Sequence, residues 1–360
     1  MADLGLNHRA SIIGTGLIGG SIGLALRAHG WHVSGVDADP AAALRAIELG
    51  ALDSIGLDPD AEITFVASPV MSIPTEARRA LAETAGVVSD VGSVKASIVD
   101  EIDDPRFVGG HPMAGSEQLG VDGASASLFE GAVWVLTPVA ATDSDHYARV
   151  NAVVRLLGAE VVALAPERHD ALVAVVSHVP HLTAAALMGI ANDRADEHAA
   201  LLRLAAGGFR DMTRIAAGSP AIWPDICGAN SEAIVDVIDR LVSELSRLKA
   251  MVVERDDRGL LSALESAQLA RRNLPGRVSR PDELAEVRVP ILDRDGALAE
   301  VATLASELAI NIADVEIAHS AEGDAGVLIM LVDRAKADLY REALVGRGFR
   351  PSVTPLEAGS

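Results

Sequence analysis

The apolar positions of this chain follow one rhythm in its first half, a second in its middle and a mixture of both at its end. Up to about Pro166, short apolar runs at 63–67, 87–89, 107–108 and 133–137 read as strands, with helical spacing between them at stretches such as 73–84 and 146–157. This alternation predicts a mostly parallel sheet with helices on both faces. Beyond Pro166 the strand signal stops. Helical spacing takes over, with breaks at Gly207-Gly208, Gly218-Ser219-Pro220 and Gly228. Between Glu232 and Arg255, the residues Ile234, Val237, Ile238, Leu241, Leu245, Leu248 and Val252 fall on one stripe of a long helix. An apolar stripe of that length needs a covering surface, and a second copy of the chain is the economical one. Residues 271–281 hold Pro275, Gly276, Pro281 and several arginines and mark a linker. The rest reads as strand 287–292, a helix through Leu298, Val301, Leu304 and Leu308, strands 312–317 and 327–332, helix 335–344 and strand 349–353. That is the β-α-β-β-α-β order of a small ferredoxin-like α+β unit.

The first strand-to-helix junction carries the clearest chemistry. Ser11-Ile12-Ile13-Gly14-Thr15-Gly16-Leu17-Ile18-Gly19-Gly20 runs from a β-branched strand through a glycine turn into a helix, and Asp37 closes the next apolar run. Gly14 permits the tight turn, Gly16 lets the main chain approach a pyrophosphate without a Cβ in the way, and Gly19 lets the helix sit close to the strand. The unpaired amides at the helix start, at Leu17 and Ile18, then face the anion. Asp37 can accept hydrogen bonds from a ribose hydroxyl and would repel a 2′-phosphate, which favours NAD over NADP. The alternative is a glycine-rich turn that simply tightens a buried connection. The expected fold class is α/β: a Rossmann-type doubly wound sheet, an all-helical dimerisation domain and the small α+β domain. The expected boundaries are 1–165 for dinucleotide binding, 166–273 for the helical substrate-binding and dimerisation part, 274–285 for the linker and 286–356 for the last domain.

Composition narrows the partners. With 360 residues and 49% hydrophobic content the chain can bury real cores, and a formal charge of −21 argues against nucleic acid or an anionic membrane surface. The lone Cys227 argues against a disulfide framework, fits a reducing cytoplasm and reads as a small buried apolar residue. Two segments imitate membrane signals. Residues 10–26 resemble a secretory apolar core, but their glycines have a better use in the nucleotide turn. Residues 171–191 are long enough to span a bilayer, yet they carry His178, Pro180 and His181 near the middle and lack aromatic anchors. They read as a helix buried in protein.

Ligands of open α/β sheets lie beyond the carboxyl ends of the strands. Ala67-Ser68-Pro69, the stretch from Ser89 to Lys95, and Gly109-Gly110-His111-Pro112-Met113-Ala114-Gly115-Ser116-Glu117 all follow strands. The glycines on both sides of His111 look arranged for access by a ligand, although a structural histidine bonding backbone fits there too. In the helical part the dense clusters are Ser177-His178-Val179-Pro180-His181 and Gly207 to Arg214. No Cys or carboxylate cluster with ligand spacing accompanies the two histidines, so no metal is expected.

Taken in order, the H-P-M-A-G, S-H-x-P-H and G-F-x-D-x-T-R-I-A segments resemble the prephenate dehydrogenase family, with its close relative arogenate dehydrogenase, from the nucleotide turn to about Glu254. The last unit looks like an ACT domain, with Asp293 and Gly296 at its first strand-to-helix turn as regulatory positions. The resemblance implies NAD-dependent oxidative decarboxylation in tyrosine biosynthesis, in a homodimer sensitive to an amino-acid effector, tyrosine being the natural one. It places the proton-accepting imidazole at His111 and its hydroxyl partner at Ser93, for which a helix N-cap is the competing role. It assigns Arg214 to a substrate carboxylate, where an ion pair with Asp211 competes, and puts His181 near the substrate, Glu117 at the mouth and Trp223 on the wall. Arg210 joins them as a cation for the dianion, and Ser68 and Pro69 join the cofactor site. His111 and Arg214 should come from separate domains to opposite ends of the substrate ring. Three readings compete: an arogenate dehydrogenase, a β-hydroxyacid dehydrogenase, which requires a helical-domain lysine and finds only Lys249, and an NAD-binding regulator without turnover.

Overall fold

The computed structural model describes residues 8–116, 118, 120–195, 207–273, 284–292, 296–319 and 325–355. Contacts gather the chain into two units, Met1–Ala250 and Met251–Ser360.

In the first unit, strands β1 (Arg9–Ile13), β2 (His32–Val36), β3 (Ser54–Ile55), β4 (Ile63–Val66), β5 (Val87–Asp90), β6 (Phe107–Pro112), β7 (Val133–Thr137) and β8 (Glu160–Ala163) form one sheet. Their order is β3-β2-β1-β4-β5-β6-β7-β8, the doubly wound arrangement expected, and neighbours are parallel except the antiparallel pair β6 and β7. Helices α1 (Leu17–Ala28), α2 (Pro40–Glu48), α3 (Ile73–Glu83), α4 (Ala96–Asp100) and α5 (Ser144–Leu156) make the connections. Successive strand residues point to opposite faces, so Ile12 enters a core with Phe65, Phe129 and Trp134, while Ile13 enters another with Val66, Ile73 and Ile98. Two strands escaped the hydrophobic pattern for simple reasons. β3 is too short to make a run, and β8 is only half buried.

The helical part comprises α6 (Pro166–Val173), a π-helical turn at Ala174–His178, α7 (Val179–Ala195), α8 (Gly207–Thr213), α9 (Trp223–Ala229) and α10 (Ser231–Glu254). Ile226 of α9 lies in the same core as Ile13, with Trp223 packed against it, so helical part and sheet share one interior. Gly207 and Gly208 open a helix instead of breaking one, and Gly228 lies inside α9, whose end falls at Asn230. By length and hydropathy alone, Pro166–Asp193 could cross a membrane, and within this one chain 28% of its apolar 18-residue window is buried. Val175, Val176 and Ile190 are exposed, whereas His169, Ala174, His178 and Val179 are buried. On α10, Ile234 is buried but Leu245 and Val252 at the far end of the stripe are exposed.

The second unit holds α11 (Asp257–Arg272), β9 (Leu284–Leu292), α12 (Ala297–Glu307), β10 (Ile312–His319), β11 (Ala325–Asp333), α13 (Arg334–Gly346) and β12 (Ser352–Pro355). Its strands pair antiparallel in the order β10-β11-β9-β12, the ferredoxin-like topology. Val287, Val289, Leu328 and Met330 face Val301, Leu304, Tyr340 and Leu344 in one core, where the Tyr340 hydroxyl donates to the Val301 carbonyl at 2.8 Å. Leu284 and Ala285, expected in the 274–285 linker, are strand, and Arg271 and Arg272, in the stretch that marked it, are helical.

A buried ion pair fixes the carboxyl ends of the central strands. Lys95 is fully buried, its Nζ pairs with the Asp90 carboxylate and donates to the Gly110 carbonyl at 2.7 Å. Burial lowers the Lys95 pKa from its ordinary value despite the opposing pull of Asp90. Removing one member of such a pair strands the other charge without a partner. Lys95→Met should therefore cost about 3–5 kcal/mol in urea denaturation.

Candidate active site

The glycine turn between β1 and α1 is built by two kinds of steric demand. Gly14 has φ +89°, and a Cβ there would lie 2.4 Å from the Ala67 carbonyl oxygen. A Cβ on Gly19 would lie 1.9 Å from the Gly14 carbonyl oxygen, so its absence lets α1 close on the turn. Gly16 differs from both. Its φ is −68° and its Cβ position meets nothing within 4 Å, so the fold does not require glycine there and open space lies in front of it. No side chain caps α1, which leaves its first amides directed at that space. Asp37 braces the turn: its carboxylate accepts the Thr15 amide at 2.6 Å, the Thr15 hydroxyl at 3.0 Å and the Asp39 amide at 2.9 Å.

A cavity of about 550 Å³ opens from this turn. Gly16, Leu17 and Ile18 form one wall, with Ser68 and Pro69 beside them. The Ser68 hydroxyl is buried and has no hydrogen-bond partner among the described residues. An open glycine face, an uncapped helix start and an orphaned hydroxyl suit a dinucleotide. Gly14, Gly19 and Asp37 shape this wall without lining the cavity.

His111 and Ser93 also line the cavity. His111 sits on β6, and the glycines on its two sides differ: Gly115 lines the cavity with nothing within 4 Å of its Cβ position, whereas Gly109 and Gly110 serve packing. A Cβ on Gly109 would strike the Thr137 hydroxyl at 2.4 Å, and one on Gly110 the Asp90 carbonyl oxygen at 2.7 Å. Those glycines let β6 lie against its neighbours. The His111 Nδ1 is 2.8 Å from His169 Nε2, and His169 Nδ1 is 2.7 Å from Asp170 Oδ1. Burial, reinforced by the neighbouring His169, Lys95 and His178, holds the His111 pKa well below the ordinary histidine value, so its imidazole is neutral near pH 7. Ser93 is not a helix cap. The amides of Lys95 and Ala96 at the start of α4 donate instead to Asp170, at 2.8 and 2.9 Å.

The far wall comes from the helical part. His181 stacks on Trp223 with ring centroids 3.7 Å apart, and His178 meets the same indole edge-on at 6.1 Å. The Asn230 side-chain nitrogen donates to the Asp170 carbonyl at 2.9 Å and to His178 Nδ1 at 3.2 Å. The His178 proton therefore sits on Nε2, which is buried and has no partner among the described residues. Burial pulls the His178 pKa down to about 4. Arg214 is exposed and begins a short 3-10 turn whose next residue, Ile215, lines the cavity; Arg210 is exposed on α8 and Lys249 on α10, away from the cavity. Glu117 lies outside the described residues. His169, Asp170, Lys95 and Asn230 were not anticipated; the only local signal for the first two is an adjacent His-Asp pair at a helix start.

Comparison with known proteins follows the same geography. The prephenate dehydrogenase nucleotide-binding domain family matches residues 22–163, and the prephenate dehydrogenase dimerization domain family matches 165–266. Over 352 residues the chain is 32% identical to the prephenate dehydrogenase of Bacillus subtilis (strain 168), covering 92% of this chain and 95% of that protein. The chain belongs to the prephenate dehydrogenase family. Two solved structures resemble it: prephenate dehydrogenase from A. aeolicus in complex with hydroxyphenyl propionate and NAD+, with TM-score 0.70, 31% identity and coverage of 74% of this chain and 98% of that one, and Synechocystis arogenate dehydrogenase, with TM-score 0.64, 28% identity and coverage of 73% and 99%. For this member of the prephenate dehydrogenase family, the glycine turn separates fold from ligand. Gly16→Ala should leave the thermal midpoint unchanged while weakening NAD binding in calorimetric titration by about tenfold. Gly14→Ala should lower the midpoint itself, because it forces a Cβ into a left-handed residue.

Proposed function

We propose that this chain catalyses the NAD-dependent oxidative decarboxylation of prephenate to 4-hydroxyphenylpyruvate. The observation that carries this reading is the convergence, in one cavity, of the open glycine face at Gly16 and the neutral imidazole of His111. NAD, when bound, supplies the hydride acceptor. Gly16, Leu17, Ile18, Ser68 and Pro69 hold it, and Asp37, besides bracing the turn, offers its remaining lone pairs to a ribose hydroxyl. Loss of the ring carboxylate makes the ring aromatic and drives the reaction, so the chain need only place the ring and polarise its hydroxyl. His111 accepts the hydroxyl's hydrogen bond, and Ser93 on the same wall steadies both groups. Prephenate is a dianion, and Arg214, at the start of the turn that reaches the cavity wall at Ile215, is the cation for a carboxylate, with Arg210 nearby in sequence. His181 and Trp223 close the far side.

The rest of the assignment follows from the same reading. Residues 1–165 bind the dinucleotide and 166–273 the substrate, and the ACT-like unit, which begins with β9 at Leu284 and runs to 356, receives an amino-acid effector such as tyrosine at Asp293, outside the described residues, and at Gly296, left-handed with φ +83° before α12. The exposed end of the α10 stripe is covered by a second copy, giving a cytoplasmic homodimer. Purified protein with NAD and prephenate should generate NADH absorbance, and an arogenate assay in parallel reads the side-chain preference. No turnover of either compound would defeat the proposal. His111→Asn should lower kcat by about 10²–10⁴-fold while NAD affinity stays unchanged. Because the His111 pKa is depressed, the active neutral form persists as pH falls through about 6.5, and kcat/KM should decline only at more acidic pH.

A further inference from the structure

His111 does not stand alone in the wall of the cavity. Its Nδ1 is 2.8 Å from Nε2 of His169, with the rings edge to face at 77°, and His169 Nδ1 is 2.7 Å from Asp170 Oδ1. His169 is fully buried and Asp170 nearly so. Nothing in the binding of either ligand requires this chain of groups, since neither residue lines the cavity.

The direction of the hydrogen bonds follows from what each atom can do. A carboxylate only accepts, so the proton in the last contact belongs to His169 Nδ1. The same carboxylate also takes the amides of Lys95 and Ala96, at 2.8 and 2.9 Å, so it is shared among three donors. A neutral His169 carrying its proton on Nδ1 presents a lone pair at Nε2. The proton between the two imidazoles is then on His111 Nδ1, and the lone pair of His111 is on Nε2, the one ring nitrogen left free to meet a substrate hydroxyl. The opposite His111 tautomer would set two lone pairs against each other.

We propose that Asp170 and His169 are positioning residues that hold His111 in the tautomer with its lone pair on Nε2 and share the charge when it takes a proton. This rests on the reading of His111 as the proton acceptor. The proton account closes without an outside donor. The hydroxyl proton passes to His111 Nε2 as the hydride leaves the ring carbon, while the Nδ1 proton shifts toward His169 Nε2 beside the Asp170 carboxylate. When carbon dioxide departs and the bonding pair enters the ring, the aromatic oxygen takes the proton back and both imidazoles return to neutral.

The test uses the full chain labelled with ¹⁵N in its histidines, with His111→Asn identifying the His111 resonances. The expected spectrum shows a protonated Nδ1 and an unprotonated Nε2 at His111. A proton on Nε2 in the parent protein would overturn the proposal. In steady-state assays His169→Phe, which fills the space without an acceptor, should lower kcat by about 10²-fold with KM for NAD and prephenate within about twofold. His169→Gln, whose carbonyl can still accept from His111 Nδ1, should recover about tenfold of that loss. Wild-type kcat in His169→Phe, or a glutamine variant as slow as the phenylalanine one, would overturn the relay. Normal turnover in His111→Asn would instead overturn the assignment of His111 itself, and the tautomer spectrum does not depend on that result.

Discussion

The carboxylate of Asp170 is the joint on which the catalytic half of the molecule depends. It is 5% exposed, and a charge so placed persists only if donors replace the water it has lost. Two come from the backbone of Lys95 and Ala96 beyond the sheet, and one from the ring of His169 on its own helix. The amides and the carboxylate lie 75 and 74 residues apart in the chain. The carboxylate is therefore satisfied only when α6 has docked on the carboxyl ends of the strands, and docking also brings His169 to His111. Assembly of the interior and assembly of the site are one event.

The second buried charge works in the same place for a different end. Lys95 ties Asp90, at the end of β5, to Gly110, the residue before His111. Asp90 also accepts the amides of Gly92 at 2.8 Å and Gly110 at 3.1 Å, so the imidazole is carried by a strand pinned from both sides. A cation and a second imidazole close to His111 disfavour its protonation. The groups that hold the ring still are thus the groups that keep it neutral.

Much of the architecture is legible in the chain because its causes are local. The glycine turn declares itself within ten consecutive residues, and the ferredoxin-like tail reads off from the change between periods of two and 3.6. His111, Ser93, His181 and Trp223 stand in recognisable segments, and the fold brings all four to one cavity. What could not be read depends on contacts between distant segments. Nothing around Gly109 and Gly110 discloses that Thr137 and Asp90 forbid a side chain there. His169 and Asp170 look like an ordinary helix start, and their partners lie 58 residues and more upstream. Arg214, by contrast, is conspicuous in sequence yet lies on an exposed turn that touches the cavity through Ile215.

The π-helical turn at Ala174–His178 gives chain length a meaning that composition does not carry. A helix advances about 100° per residue, so one residue more or less rotates everything downstream by that angle. The wide turn sets the phase in which His178 and His181 both reach Trp223 while Val175 and Val176 face outward. A single-codon deletion in this segment would leave every side chain of the far wall intact in kind and aim it elsewhere.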